Sequence, residues 1–147
     1  MTRKSEICDS AAEVVSPPVE TKSNGYAFNR TRQAFLASDL RIADTHWSRL
    51  KGLMGTPPES LPAGRGLWIV PCRGVHTMAM RYPIDVIYLD ENRVVVYIEE
   101  TVRPWRLTSL RMEAQTVIEV PSHTAWATGT LVGDQIEIQL GDGARDL

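Results

Sequence analysis

Short apolar runs, some of which alternate with polar residues, recur along the chain and are separated by turn-forming residues. In the segment 34–43, Leu36, Leu40 and Ile42 share parity and polar residues lie between them, which is typical of a half-buried strand. Residues 26–43 are therefore expected to form one or two strands. Further strands are predicted over residues 67–71, 75–80, 84–89, 94–98, 116–120 and 135–140.

One helix is predicted between these strands. Asp44 or Thr45 can cap its first turn, and Gly52 or Gly55 ends it. Its apolar positions, spaced to place one face on the core, are Trp47, Leu50 and Met54. A short helical turn is predicted over residues 122–128. Many short strands with one or two short helices favour a mainly β fold, a compact β-barrel or sandwich.

The N-terminal segment lacks this alternation. Residues 1–25 mix charged residues, Ser, Thr and two consecutive prolines, with too little apolar surface to offset the entropy of ordering. We predict a disordered N-terminal tail over residues 1–25 and a single β-rich domain over residues 26–147. A chain of 147 residues fits one domain and can bury a core without a covalent staple.

Charge and targeting signals narrow the functional classes. The formal net charge of -2 provides no electrostatic reason to approach nucleic acid or an anionic membrane. The chain shows neither a signal-peptide core nor a membrane segment, which would need about 20 apolar residues. Its two cysteines, Cys8 and Cys72, suit a reducing compartment. We expect a cytoplasmic protein without a cofactor, whose partner is a small molecule or another protein.

The side chains that could bind a ligand or take part in a reaction are concentrated in residues 72–86. If residues 75–80 form a strand, His76, Met78 and Met80 project to one side, and Cys72 has the same parity. Cys, His and Met are soft ligands that suit copper, especially Cu(I), so copper binding is one alternative. Against it, Met commonly fills core space, and no metal site is the main expectation.

Cys72 and His76 also allow an enzymatic alternative. A cysteine hydrolase uses a thiol activated by an imidazole, and here His76 would act as the base with or without Cys72 as the nucleophile. The spacing is not diagnostic, because such partners normally meet only in space. A buried structural cysteine is the commoner case.

Arg81 and Asp85 flank a proline at a predicted corner between two strands. They can form an ion pair that holds the turn. Alternatively, Arg81, oriented by Asp85, can join His76 to receive a carboxylate or phosphate. Met80 and Trp105 would then supply apolar walls. A small-ligand-binding or accessory module with this polar pocket is the first hypothesis, and it does not require an enzyme.

Several motifs resemble those of the DUF192 (UPF0127) family. They are Thr45-x3-Arg49-x2-Gly52-Leu-Met54-Gly55, Leu61-Pro-x-Gly64-x-Gly66, Pro71-Cys72 and Val75-His76-Thr77-x2-Met80-Arg81-x-Pro83-Ile-Asp85. The resemblance extends over about residues 30–140 and follows the branch with a His-Thr-x2-Met-Arg core. It implies a compact β-rich barrel or sandwich with a short helix. No activity is established for the family, so the resemblance assigns no catalytic residue.

Overall fold

The computed structural model describes residues 24–145 of the chain. It contains one seven-stranded sheet and two short α-helices, which confirms the mainly β class. The elements are β1 (Gly25–Asn29), β2 (Ala34–Ala43), α1 (His46–Lys51), β3 (Arg65–Ile69), β4 (Ile84–Leu89), β5 (Val95–Val102), β6 (Thr116–Pro121), α2 (Thr124–Thr128) and β7 (Ile136–Gln139), with a 3-10 turn at Pro58–Ser60. Of the tail predicted over residues 1–25, residues 1–23 lie outside the described part of the chain. Strand β1 begins at Gly25.

The sheet curls into a half-barrel. Its strand order is β5-β4-β6-β3-β2-β1-β7, and β2 and β3 are parallel whereas the other neighbours are antiparallel. The two edges approach each other at one end, where Val94 bridges to Gln135 and the Val95 amide donates to the Asp134 carbonyl oxygen at 2.9 Å. This approach pairs part of two otherwise open edges, which are liable to associate with other chains.

The centre of the sheet is buried on both faces. Along β4, Ile87 and Leu89 pack in one hydrophobic cluster, whereas Val86 and Tyr88 pack in a second cluster on the opposite face. All six residues of β4 are buried. The second cluster also contains Met80, because the segment that precedes β4 folds over that face.

The prediction of a strand over residues 75–80 is wrong. The segment makes one isolated bridge, at His76, and Ala79 has a φ of 58°. Met80 is 3% exposed, whereas Met78 is 41% exposed, so the two thioethers do not share a face. The copper alternative required His76, Met78 and Met80 to project from one side of a strand, and this arrangement is absent.

Thr77 accounts for this irregular path. Its amide donates to the Arg106 carbonyl oxygen at 2.8 Å, and its hydroxyl donates to the Arg103 carbonyl oxygen at 2.7 Å. The Trp105 amide donates back to the Thr77 carbonyl oxygen at 2.8 Å. These bonds satisfy the buried polar groups of Thr77 against another loop instead of a sheet ladder.

Helix α1 has the predicted caps but not the predicted buried face. Thr45 caps its start in a capping box with Ser48, and Gly52 follows its end, as expected. None of its residues is buried, and Trp47 is 71% exposed and Leu50 is 56% exposed. Six residues make less than two turns, too short to present a full apolar stripe to the core. No helix within residues 24–145 is long and apolar enough to cross a membrane.

Candidate functional site

A cavity of about 440 Å³ lies between α1, the 3-10 turn and the paired strands β2 and β3. We call it the helix cavity. Its apolar walls include Ile42, Leu53, Leu61 and Leu67, and Trp47 stands at its rim. The volume falls within the range of pockets that hold small organic ligands.

The topology explains why a cavity forms here. Parallel strands cannot be joined by a tight turn, so the chain must cross over between β2 and β3. The crossover is the segment 44–64, and it contains α1 and the 3-10 turn. Because α1 is short and buries none of its residues, it covers this part of the sheet without filling the space beneath it.

Cations outnumber carboxylates among the side chains that line the helix cavity. Its charged lining residues are Arg41, Lys51, Arg65, Arg145 and one carboxylate, Asp44. Arg145 pairs with Asp44 at 3.0 Å, and Arg65 pairs with Asp39 at 2.8 Å. Partial burial opposes ionisation of Asp39, but hydrogen bonds from Arg65 and Asn24 outweigh it, so its pKa lies below the ordinary value.

A second, smaller space of about 40 Å³ lies on the other side of α1. We call it the inner cavity. Cys72, His76 and Glu119 line it, together with the end of α1. Lys51 and Gly52 line both cavities, so the backbone after α1 is the partition between them.

Glu119 is the functional candidate that sequence reasoning missed. It lies in the middle of β6, opposite Leu67 of β3 and Val86 of β4, and is 2% exposed. Its Oε2 has no hydrogen-bond partner among the described residues. Burial raises the pKa of Glu119 to about 8, which favours the neutral form of the carboxyl. The available signal was an acidic residue inside an apolar central strand.

His76 contacts the end of α1. Its Nε2 lies 3.1 Å from the carbonyl oxygen of Leu50. A carbonyl oxygen only accepts, so Nε2 carries the proton and donates it. In the neutral ring Nδ1 is then an acceptor, and this buried atom has no partner within residues 24–145.

The thiol of Cys72 is not activated in this arrangement. Its Sγ donates to the Gly74 carbonyl oxygen at 3.1 Å, and burial raises the pKa of the thiol. Reactive cysteines have a lowered pKa instead. Cys72 and His76 do line one cavity, as the enzymatic alternative requires, but no hydrogen bond joins them among the described residues.

Asp85 and Arg81 lie apart from the inner cavity. Asp85 is fully buried, and its two carboxylate oxygens accept the backbone N–H groups of Thr101 at 2.9 Å and Ala125 at 3.0 Å. One oxygen therefore connects β4 to β5, and the other connects β4 to α2. Arg81 is exposed.

The remaining predicted site residues are dispersed. Met80 lies in the core, whereas Trp105 is 64% exposed. Neither lines the inner cavity with His76, and Met78 does not either. Within the described part of the chain, no group of three or more His, Cys, Asp or Glu residues is arranged to hold a metal ion.

Comparisons with known proteins agree on one family. Residues 27–138 match the DUF192 family, described as "Uncharacterized ACR". A UPF0127 protein of Thermococcus sibiricus is 32% identical over 114 residues, covering 74% of this chain and 71% of that protein. A UPF0127 protein of Pyrococcus furiosus is 30% identical over 114 residues, covering 74% of this chain and 94% of that protein.

The fold has a solved counterpart. A protein of unknown function from Novosphingobium aromaticivorans superposes with a TM-score of 0.66 at 20% identity, covering 92% of this chain and 99% of that one. At this identity the likeness concerns the fold alone. The family match covers residues 27–138, which include strands β2 to β6 and both α-helices. The chain belongs to the DUF192 (UPF0127) family of uncharacterised proteins.

Proposed function

We propose that the protein is a small-ligand-binding module and that its site is the helix cavity. The ligand is an organic anion, a carboxylate or phosphate attached to an apolar body. One observation carries this proposal: a cavity of about 440 Å³ combines apolar walls with four cationic lining residues and one acidic one. Ligand pockets commonly pair a mostly apolar lining with a few polar groups that fix orientation.

The cations are placed to receive an anion. Arg65 and Arg145 are already held by carboxylates, which keeps their guanidinium groups oriented. Lys51, at the exposed end of α1, adds a mobile point charge. An apolar body would lie against the leucines of the wall, and the ring of Trp47 offers a stacking surface at the rim.

This proposal keeps the expected function and moves its site. We do not place the site at the pocket expected at His76, Arg81 and Asp85. Both carboxylate oxygens of Asp85 accept hydrogen bonds from backbone amides, so they are not available to orient Arg81. The hydrolase and copper alternatives gain no support from the raised pKa of Cys72 or from the dispersed methionines.

The experiment is a fluorescence titration of the full chain with anilinonaphthalene sulfonate, an anion with an aromatic body, in competition with decanoate. Lys51→Glu and Arg145→Glu should each weaken binding roughly tenfold, about 1.4 kcal/mol. Arg81→Glu makes the same charge change outside the cavity and is the matched control. Unchanged affinity in both cavity variants would refute the site. Loss confined to Arg81→Glu would return the site to His76 and Arg81.

A further inference from the structure

Two buried polar atoms without partners belong to side chains that line the same cavity. They are Glu119 Oε2 and His76 Nδ1, and both are unsatisfied among the described residues. Buried polar groups in folded proteins almost always have a hydrogen-bond partner, because an unsatisfied buried group loses its hydrogen bonds to water without replacing them. A single bound molecule that contacts both atoms would satisfy both of them.

The two groups have complementary hydrogen-bonding roles. His76 donates through Nε2 to the Leu50 carbonyl oxygen, which leaves Nδ1 as an acceptor. Glu119 is buried, and within residues 24–145 no cation is hydrogen-bonded to it, so its neutral form is favoured and supplies an O–H donor. The lining of the inner cavity thus contains one group that offers a proton and one group that accepts a proton.

The size of the cavity restricts what can bind. The space open to water in this cavity is about 40 Å³, more than the roughly 10–15 Å³ that one water molecule needs and far below the roughly 300 Å³ or more of an organic-ligand pocket. A water oxygen can accept from Glu119 while one of its hydrogens is donated to His76. Both unsatisfied atoms would then have a partner.

We propose that Glu119 and His76 bind one buried water molecule in the inner cavity and form with it a proton-transfer site. Glu119 donates its O–H to the water oxygen, and the water donates an O–H to Nδ1 of His76. When the proton moves, the Glu119 O–H bond and one water O–H bond break. A new water O–H bond and an Nδ1–H bond form, which leaves a carboxylate and an imidazolium. The site does not depend on anion binding in the helix cavity.

Gly52 separates this site from the helix cavity. The residue lines both cavities, and a Cβ placed on it would lie 3.9 Å from Glu119 Oε2. The partition at this point is therefore one layer of backbone without a side chain. Its φ of 44° and ψ of -124° lie outside the conformations that other residues adopt readily.

The test combines a high-resolution crystal structure with nitrogen NMR of the histidine side chains on the full chain at neutral pH. The expected results are one water within hydrogen-bond distance of both atoms and an Nε2–H tautomer for His76. The His76 signal is assigned by its loss in His76→Asn, and the exposed His123 is the reference. An Nδ1–H tautomer, or a cavity without density in a map that shows other buried waters, would overturn the proposal.

Two variants distinguish the effect of the hydrogen-bond donor at position 119 from the effect of the volume of its side chain. Glu119→Gln keeps a donor and should retain the water, whereas Glu119→Leu removes the donor and should lose it. Retention of the water in Glu119→Leu would contradict a role for Glu119. If that variant does not fold, loss of the water in Glu119→Gln would count against the proposal and its retention would support it.

Discussion

His76 Nε2 donates to the carbonyl oxygen of Leu50 at 3.1 Å, and this contact joins the loop that precedes β4 to the end of α1. Helix α1 buries none of its own residues, so it is held in place by contacts at its ends. Arg49 supplies another such contact, to the Pro71 carbonyl oxygen at 3.3 Å. The partition between the two cavities is therefore held by these polar contacts together with the packing of Leu53 against the second hydrophobic cluster.

Replacing His76 with Leu should loosen α1. Loss of one hydrogen bond predicts a decrease of about 1 kcal/mol in the free energy of unfolding, and faster amide exchange in residues 46–52 than elsewhere. Hydrogen exchange measured residue by residue checks this outcome. His123→Asn, at an exposed position whose φ of 71° Asn tolerates, is the control. Equal exchange in α1 of both variants would show that the His76–Leu50 bond does not hold the helix.

Glu119 should make stability decrease as the pH rises. Burial raises its pKa from 4.5 to about 8, so the folded state holds this proton more tightly than the unfolded state. Its contribution is fully present below about pH 4.5 and is lost progressively until the pH passes about 8. The loss is on the order of a few kcal/mol. The other titratable or charged groups near it are Arg49, Lys51, Cys72, His76 and Tyr82.

Urea unfolding of Glu119→Gln across this pH range isolates that contribution. The variant keeps a neutral polar side chain, so its stability should change less between acidic and alkaline pH than that of the unaltered protein. Glu113→Gln, at an exposed position, should follow the unaltered protein. Parallel curves for Glu119→Gln and the unaltered protein would mean that the carboxyl ionises normally in the fold.

Asp85→Asn should destabilise the protein by about 2–4 kcal/mol. The carboxylate accepts two backbone N–H groups in a fully buried position, and an amide can turn only one oxygen toward them. Urea unfolding measures the loss, and the exposed Glu100→Gln is the control. The affinity for anilinonaphthalene sulfonate should stay unchanged in the folded variant. Weaker binding without a stability loss would instead support a ligand-binding role for Asp85.

Gly66→Ala should cost about 1–3 kcal/mol through overpacking. A Cβ at Gly66 would lie 2.9 Å from the Cβ of Ala37 and 3.3 Å from side-chain atoms of Leu40 and Val120. Adding Ala37→Gly removes the closest of these contacts. The double variant should therefore lose less stability than the sum of the two single variants. If the decreases in the free energy of unfolding are additive, the contact with Ala37 is not the cause of the destabilisation by Gly66→Ala.

The strand alternation and the turn residues were enough to predict most of the sheet. The runs that became β2 and β7 alternate between apolar and polar residues, because successive side chains of a strand face opposite sides. The runs that became β4 and β6 are short apolar runs between turn residues. The start and end of α1 were also readable, since Thr45 and Gly52 act through local backbone geometry. The motif resemblance pointed to the family that the comparisons then confirmed.

The path of residues 75–80 could not be read from the chain alone. Its alternating composition suits a strand, but Thr77 bonds to a loop about 30 residues away, and no local pattern encodes that partner. The same limit applies to Met78 and Met80, whose different exposure follows from this path.

The sequence by itself determined the β-rich class, the family and the presence of His76 among chemically capable residues. Only the tertiary structure decided which groups share a space with it. Glu119 lines the same cavity as His76, and it is placed there by β6, which lies between β3 and β4. Asp85 does not line that cavity, and its two oxygens accept hydrogen bonds from backbone amides. Local patterns encode the direction of a side chain, whereas its neighbours depend on the pairing of strands that are distant in the chain.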